Sequence, residues 1–268
     1  MARAKRHYLP GQIWHLTHRC HKKEFLLKLS RDRRRLLQWL YESRKRYGLV
    51  ILNYSVTSNH VHFLVFDEKG ANVIPDSVKL VAGRIGQEYN IRKKRKGAFW
   101  EDRYHATAIE SGQHLLRCLV YIDLNMVRAK VVNHPSQWPF CGYNEIRKPR
   151  RKNVLIAYPK LAQLAGFKSY EEFSTEYNKY IHESLSYDNN ARQSKWSESI
   201  AVGSKSFVRS IKEELGILAQ GRKILETGDD YELREAIGIY EAEIDSKKEH
   251  IGVQNRQFWD INYKISSS

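Results

Sequence analysis

Leu49-Val50-Ile51-Leu52-Asn53-Tyr54-Ser55-Val56-Thr57-Ser58-Asn59-His60-Val61-His62-Phe63-Leu64-Val65-Phe66 decides the fold of this chain. Leu49 to Thr57 and Val61 to Phe66 are runs of β-branched, aromatic and aliphatic residues, the composition of buried strands. Only Ser58-Asn59 and the first histidine separate them, a link short enough to require an antiparallel hairpin. Side chains alternate across a strand, so His60 and His62 share a face and Val61 takes the other. Two neutral imidazoles side by side on a rigid strand can ligate a divalent metal. A His-x-His pair alone assigns no chemistry; it needs a third ligand, a reactive group and a substrate.

Outward from the hairpin the pattern alternates between strand and helix. Gln12 to His18 alternates polar and apolar residues as a first strand does. Ser30 can cap a helix to about Tyr47, with Leu36, Leu37, Leu40 and Tyr41 on one face and Gly48 as its stop. Beyond the hairpin, Pro75 opens a helix to about Ile91, and Arg92-Lys93-Lys94-Arg95-Lys96-Gly97 is a basic loop. Ala98 to Ile109 reads as a fourth strand and Gln113 to Lys130 as a continuous helix. This β-α-β-β-α-β order is that of a ferredoxin-like split β-α-β fold, an α+β class with an antiparallel sheet. Pro135, Pro139 and the basic run Arg147 to Lys152 mark a boundary, giving a first domain at 1–150. The region 151–268 reads as mainly helical, with helices over Leu155 to Ala165, Tyr170 to Leu185, Lys205 to Leu215 and Tyr231 to Glu249. A polar loop spans Asp188 to Ser199.

Charge follows the same division. The chain of 268 residues has a net charge of +16, and residues 1–150 hold 29 Lys+Arg against 12 Asp+Glu. Residues 151–268 hold 17 against 18. The excess thus sits with the histidine pair and calls for an anionic partner, with nucleic acid first among them. No apolar segment or lipidation signal points to a membrane, and Cys20, Cys118 and Cys141 form no C-x-x-C pair. Reduced, mostly structural thiols fit a cytoplasmic protein.

The late helix of the first domain supplies the missing groups. In Tyr121-Ile122-Asp123-Leu124-Asn125-Met126-Val127-Arg128-Ala129, Tyr121 and Asn125 are four apart and one helical turn from each other. A tyrosine hydroxyl can be a nucleophile and an asparagine oxygen a metal ligand. Taken separately, a helical tyrosine is an ordinary packing residue and a helical asparagine an ordinary surface one.

Together these segments resemble a known family. Thr57 to Val65 is similar to the HUH motif (His, hydrophobic residue, His) of single-tyrosine transposases. Tyr121 to Ala129 is similar to the tyrosine helix of REP-associated tyrosine transposases, which often reads Y-I-x-x-N-P-V-R-A. Trp14-His15-Leu16-Thr17-His18-Arg19 and Trp138-Pro139-Phe140-Cys141-Gly142-Tyr143 also fit that layout, so the resemblance spans about residues 5–148. Met126 stands where proline is usual, and Thr57 and Ser58 depart from the commonest wording; none of the three is a functional position.

The resemblance implies an HUH core with Tyr121 as catalytic nucleophile and His60, His62 and Asn125 as ligands of Mg²⁺ or Mn²⁺. It implies cleavage and rejoining of single-stranded DNA at repeat hairpins (repetitive extragenic palindromes) through a 5′-phosphotyrosine link. Arg3, Lys5 and Arg6 would form a DNA-tracking arm, Lys94 and Arg95 a second phosphate contact, and His15, Arg19, Arg103 and Arg128 further DNA contacts, with a core histidine as the equal alternative for His15. Trp100 and Tyr104 are candidates to stack on bases. Such an enzyme is expected in the cytoplasm with the nucleoid, as monomer or homodimer. Two readings compete: a catalytically silent hairpin-DNA-binding protein, and an HUH replication or mobilisation initiator. The complete set of Tyr121, His60, His62 and Asn125 disfavours the first, and a single tyrosine in the helix disfavours the second.

Overall fold

The computed structural model describes residues 9–68, 70, 72–186, 193–228 and 230–235. Strand β1 (Ile13–Arg19), helix α1 (Ser30–Tyr47), β2 (Val50–Val56), β3 (His60–Phe66), α2 (Val73–Arg92) and β4 (His105–Ile109) follow in order. β1 runs antiparallel to β3 and β4, and β2 antiparallel to β3. The order β2-β3-β1-β4 is therefore the expected split β-α-β sheet. Helix α1 has the expected bounds because Leu36 and Leu40 bury one stripe, and Gly48, at φ 73°, closes it in the left-handed conformation. Its N-cap position is held by Leu29 rather than by Ser30. In α2, Ile74, Val78, Val81 and Ile85 repeat every three or four residues and are all buried.

Register divides the sheet into two faces. Thr17 pairs with His62 and Ser55 with His62, so these three side chains stand on one face with His60, His15 and Asn53. His18, opposite Val61, points the other way. There His18 stacks on Trp100, whose indole donates to the Ala82 carbonyl of α2. Helix α2 thus covers the face opposite the histidine pair.

The histidine face is covered by the rest of the chain: α3 (Gln113–Asp123), α4 (Asn125–Arg128), α5 (Tyr143–Arg147), α6 (Tyr158–Leu164), α7 (Tyr170–Ser186), α8 (Lys195–Glu198) and α9 (Lys205–Leu215) belong to this half with three further strands. β5 (Ala201–Gly203) adds to β4 in parallel, β7 (Asp230–Glu235) adds antiparallel to β5, and β6 (Arg222–Thr227) ends the seven-stranded sheet. The chain beyond residue 150 therefore extends the first sheet, and residues through Arg234 make one compact unit. Buried Glu145 fastens the crossing: its carboxylate accepts from the backbone N–H of Leu155 and Ile156 and from the Tyr54 hydroxyl.

Several elements differ from the sequence reading. The helix expected over 113–130 breaks at Leu124 (φ −80°, ψ 2°) because Arg128 folds back and donates to the Tyr121 carbonyl. The fourth strand is shortened to His105–Ile109; before it, Glu101, Asp102 and Arg103 are exposed, and the Asp102 carbonyl is engaged by His18. α6 starts at Tyr158, since Pro159 fits only the first turn and Ile156 instead bridges Ile51. Residues 230–235 are a strand, not the start of a helix, because pairing with β5 overrides local propensity. The remainder of that expected helix lies outside the described residues. Lys195–Glu198, expected as loop, is helical.

Candidate active site

β3 fixes the histidine pair, with ring centroids 4.9 Å apart. Local bonds set the orientation of His60: its Nδ1 lies 2.7 Å from Asn59 Oδ1 and 3.0 Å from Thr57 Oγ1. The Thr57 hydroxyl proton is directed to the His60 carbonyl, so Nδ1–H is the donor in both contacts and Nε2 carries the lone pair.

α3 brings in the tyrosine. Leu115, Leu116, Leu119 and Ile122 bury its apolar side, and Tyr121, only 7% exposed, stands with its ring 6.2 Å from that of His62. The break at Leu124 then turns Asn125 inward, with Nδ2 3.1 Å from His62 Nε2. Turning the amide about its Cβ–Cγ bond presents Oδ1 at the same place, as a ligand. The Arg128 guanidinium lies 4.1 Å from the Tyr121 ring centroid, a cation–π contact that puts a fixed positive charge beside the phenol. Thus Tyr121, Asn125, His60 and His62 converge, although two separate segments supply them. Among the described residues, no three His, Cys, Asp or Glu side chains cluster as a metal site; the Asn125 amide is the further polar group beside the two histidines. Two imidazole nitrogens and an amide oxygen suit a divalent cation that keeps positions open for phosphate oxygens and water.

Of the two readings of His15, DNA contact and core histidine, the structure fits the second. It is fully buried, its Nδ1 2.6 Å from the Trp196 carbonyl and its Nε2 2.9 Å from His62 Nδ1. Both nitrogens are engaged inside the protein, so it does not face DNA. Burial lowers the His15 ring to about 3 and pulls His62 well below the ordinary histidine range, so both are neutral. Trp196 is fully buried too, its ring 6.1 Å from that of Tyr121. Neither Thr57 nor Trp196 was singled out by spacing. Thr57 had a local signal, the hydroxyl three residues before His60; Trp196 had none.

The basic candidates are dispersed. Arg19, opposite His60 on β1, is exposed on the site face. Arg103 and Lys94 are exposed, while Arg95 is tied into its own loop by bonds to the Ala98 carbonyl and Asn90. Arg3, Lys5 and Arg6 lie outside the described residues. Trp100 and Tyr104 pack around His18 instead of presenting faces to bases. Cys20, Cys118 and Cys141 are free and buried, as structural thiols are. Among the described residues no helix is long and apolar enough to cross a membrane.

Residues 10–125 match the family model described as "Transposase IS200 like". The chain is similar to the solved structure of a REP-associated tyrosine transposase bound to a REP hairpin, at 20% identity and TM-score 0.44, covering 54% of this chain and 84% of that one. It is also similar to a protein of Deinococcus radiodurans R1 described as a transposase, at 21% identity and TM-score 0.30, covering 38% of this chain and 82% of that one. No curated protein matches. The matched segment, residues 10–125, carries His60, His62, Tyr121 and Asn125, and over that segment this chain is similar to the IS200-like transposases.

Proposed function

We propose that this chain is a transposase that cleaves and rejoins single-stranded DNA through a covalent tyrosine intermediate, with Mg²⁺ or Mn²⁺ as cofactor. The observation that carries this reading is the meeting of Tyr121 with His60, His62 and Asn125, side chains from a strand and a broken helix, at one wall of the sheet. The Tyr121 oxygen attacks a backbone phosphorus. As the new O–P bond forms, the bond from phosphorus to the 3′ oxygen breaks, leaving a 5′-phosphotyrosine and a free 3′-OH. The tyrosine proton is lost and the departing oxygen gains one, so the ester energy is kept in the link. Attack by a 3′-OH on the phosphotyrosine reverses the step and rejoins strands without ATP.

His60 and His62 present Nε2 lone pairs and Asn125 an amide oxygen; a divalent ion held there would neutralise charge on the scissile phosphate. Arg128, beside the Tyr121 ring, offsets negative charge near the nucleophile. The basic first half, 29 Lys+Arg against 12 Asp+Glu, attracts the polyanion. The wording of the tyrosine segment, Tyr-Ile-x-x-Asn-x-Val-Arg-Ala, supports hairpin-forming repeats as the DNA class, and exposed Arg19, Lys94 and Arg103 are the proposed phosphate contacts.

The test is incubation of labelled single-stranded hairpin DNA with the full chain and Mn²⁺, resolving covalent adducts on denaturing gels. Wild type is expected to form an adduct, and Tyr121→Phe to bind DNA without forming one. An adduct that persists in Tyr121→Phe removes this tyrosine from the mechanism. Tight binding with no cleavage by wild type favours a DNA-binding role without catalysis.

A further inference from the structure

We propose that His15, anchored by the Trp196 carbonyl, is a positioning residue for His62, which makes the segment Lys195–Glu198 a working part of the active site. This rests on the reading of His62 as a metal ligand given above. It reaches well beyond residues 10–125, the part that the family match covers.

Bond direction along the chain of contacts carries the inference. A carbonyl only accepts, so His15 Nδ1, 2.6 Å from the Trp196 oxygen, carries a proton. In a neutral imidazole the other nitrogen is then an acceptor. His15 Nε2 faces His62 Nδ1 at 2.9 Å, so His62 donates through Nδ1–H. His62 is left with its lone pair on Nε2, the atom 3.1 Å from the Asn125 amide. Turned round, the same contacts would place a proton on His62 Nε2 and abolish it as a ligand. A ligating histidine is commonly fixed through its second nitrogen in this way, and losing the fixing partner costs tenfold to a hundredfold in metal affinity.

The anchor itself is well held. The Thr107 hydroxyl donates to the Ser199 carbonyl at 2.6 Å, tying the end of this segment to β4, and the Trp196 side chain is fully buried. Its neighbour Lys195 pairs with Asp230 at 2.6 Å, and Asp230 pairs with Arg117 at 2.6 Å. Arg117 lies one helical turn before Tyr121 on α3. The same segment thereby contacts the strand that carries the ligands, through His15, and the helix that carries the nucleophile, through Asp230.

The decisive measurement is nuclear magnetic resonance of the ring nitrogens in ¹⁵N-labelled full-length protein without metal, paired with Mn²⁺ titration. In wild type, His15 and His62 are both expected to carry their proton on Nδ1. His15→Gln retains an acceptor oxygen and is expected to keep the His62 tautomer and bind Mn²⁺ within about threefold of wild type. His15→Leu removes the acceptor; His62 is expected to lose its fixed Nδ1–H form and Mn²⁺ binding to weaken roughly tenfold to a hundredfold. Finding the His62 proton on Nε2 in wild type overturns the proposal, and that result needs no variant to fold. Loss of the tautomer in both variants also overturns it, since packing rather than the acceptor would then be responsible. If wild type and His62→Ala bind Mn²⁺ alike, the metal reading of the site fails, while the metal-free ring-proton measurement still decides the role of His15.

Discussion

Asp230→Ala tests how firmly the chain beyond residue 150 is fastened to α3, the helix that carries Tyr121. The Asp230 side chain is 2% exposed and meets two cations and an imidazole: Arg117 at 2.6 Å and His114 at 3.0 Å on one oxygen, and Lys195 at 2.6 Å on the other. Removing one partner of a fully buried pair costs about 3–5 kcal/mol, because the other charge stays enclosed. Here the partners are less enclosed than the carboxylate: Arg117 is 44% exposed, and His114 and Lys195 16% each. Arg117 reaches water when released and Lys195 keeps its contact with the Trp196 ring, so the expected loss is smaller, about 2–3 kcal/mol. Asp230→Asn keeps the size and one acceptor and should cost about half as much.

Urea unfolding followed by circular dichroism reads both values. Because the carboxylate is enclosed, raising salt to 0.5 M should leave them nearly unchanged, unlike a surface pair. A double-mutant cycle with Lys195→Met should return a coupling of about 1–2 kcal/mol. A loss below about 0.5 kcal/mol for Asp230→Ala, or strictly additive changes in the cycle, would refute the clamp and with it the anchoring of Trp196.

Four other outcomes follow from individual contacts. A Cβ on Gly142 would stand far inside van der Waals contact with buried Asn53 Oδ1, so Gly142→Ala should cost about 2–3 kcal/mol in urea melts, whereas Gly83→Ala, in α2 with nothing near its added methyl, should gain up to about 1 kcal/mol. Burial raises the Asp123 carboxyl from 3.8 to about 7, although Asn53 and Tyr177 hydrogen-bond it. The folded state therefore binds the extra proton between those values and stability falls as pH rises through them; wild type should lose up to about 2–3 kcal/mol more than Asp123→Asn between pH 5 and pH 8, and equal pH profiles would refute the assignment. Arg128→Ala removes both the cation over the Tyr121 ring and the donor to the Tyr121 carbonyl; adduct formation should slow roughly a hundredfold with DNA affinity changed far less, as single-turnover kinetics and filter binding would separate. For Arg19, Lys94 and Arg103, alanine substitution should lower the slope of log affinity against log salt by about 0.7 for each residue that touches a phosphate of single-stranded DNA, and an unchanged slope removes that residue from the interface.

The parts of this molecule that sequence made legible are those governed by short spacings. The hairpin from Leu49 to Phe66 alternates in the strand period, α1 carries a helical stripe closed by Gly48, and Tyr121 and Asn125 are four residues apart. In each, the physical cause lies within a few residues of its effect. The break at Leu124 escapes such reading because its cause is a competition: Arg128 takes a carbonyl that a regular helix would use, and past the break Asn125 is turned toward His62. β5 escapes it because three residues, Ala201–Gly203, hold no periodicity, and they are a strand only through pairing with β4 and β7. His15 escapes it most fully. Its place on β1 puts it on the ligand face, which spacing does reveal, but its burial and bond direction come from Trp196, 181 residues later. Short spacings therefore identify the side chains that meet at the site, while the groups that orient them are drawn from wherever the sheet is next covered. In this chain that covering lies beyond residue 150.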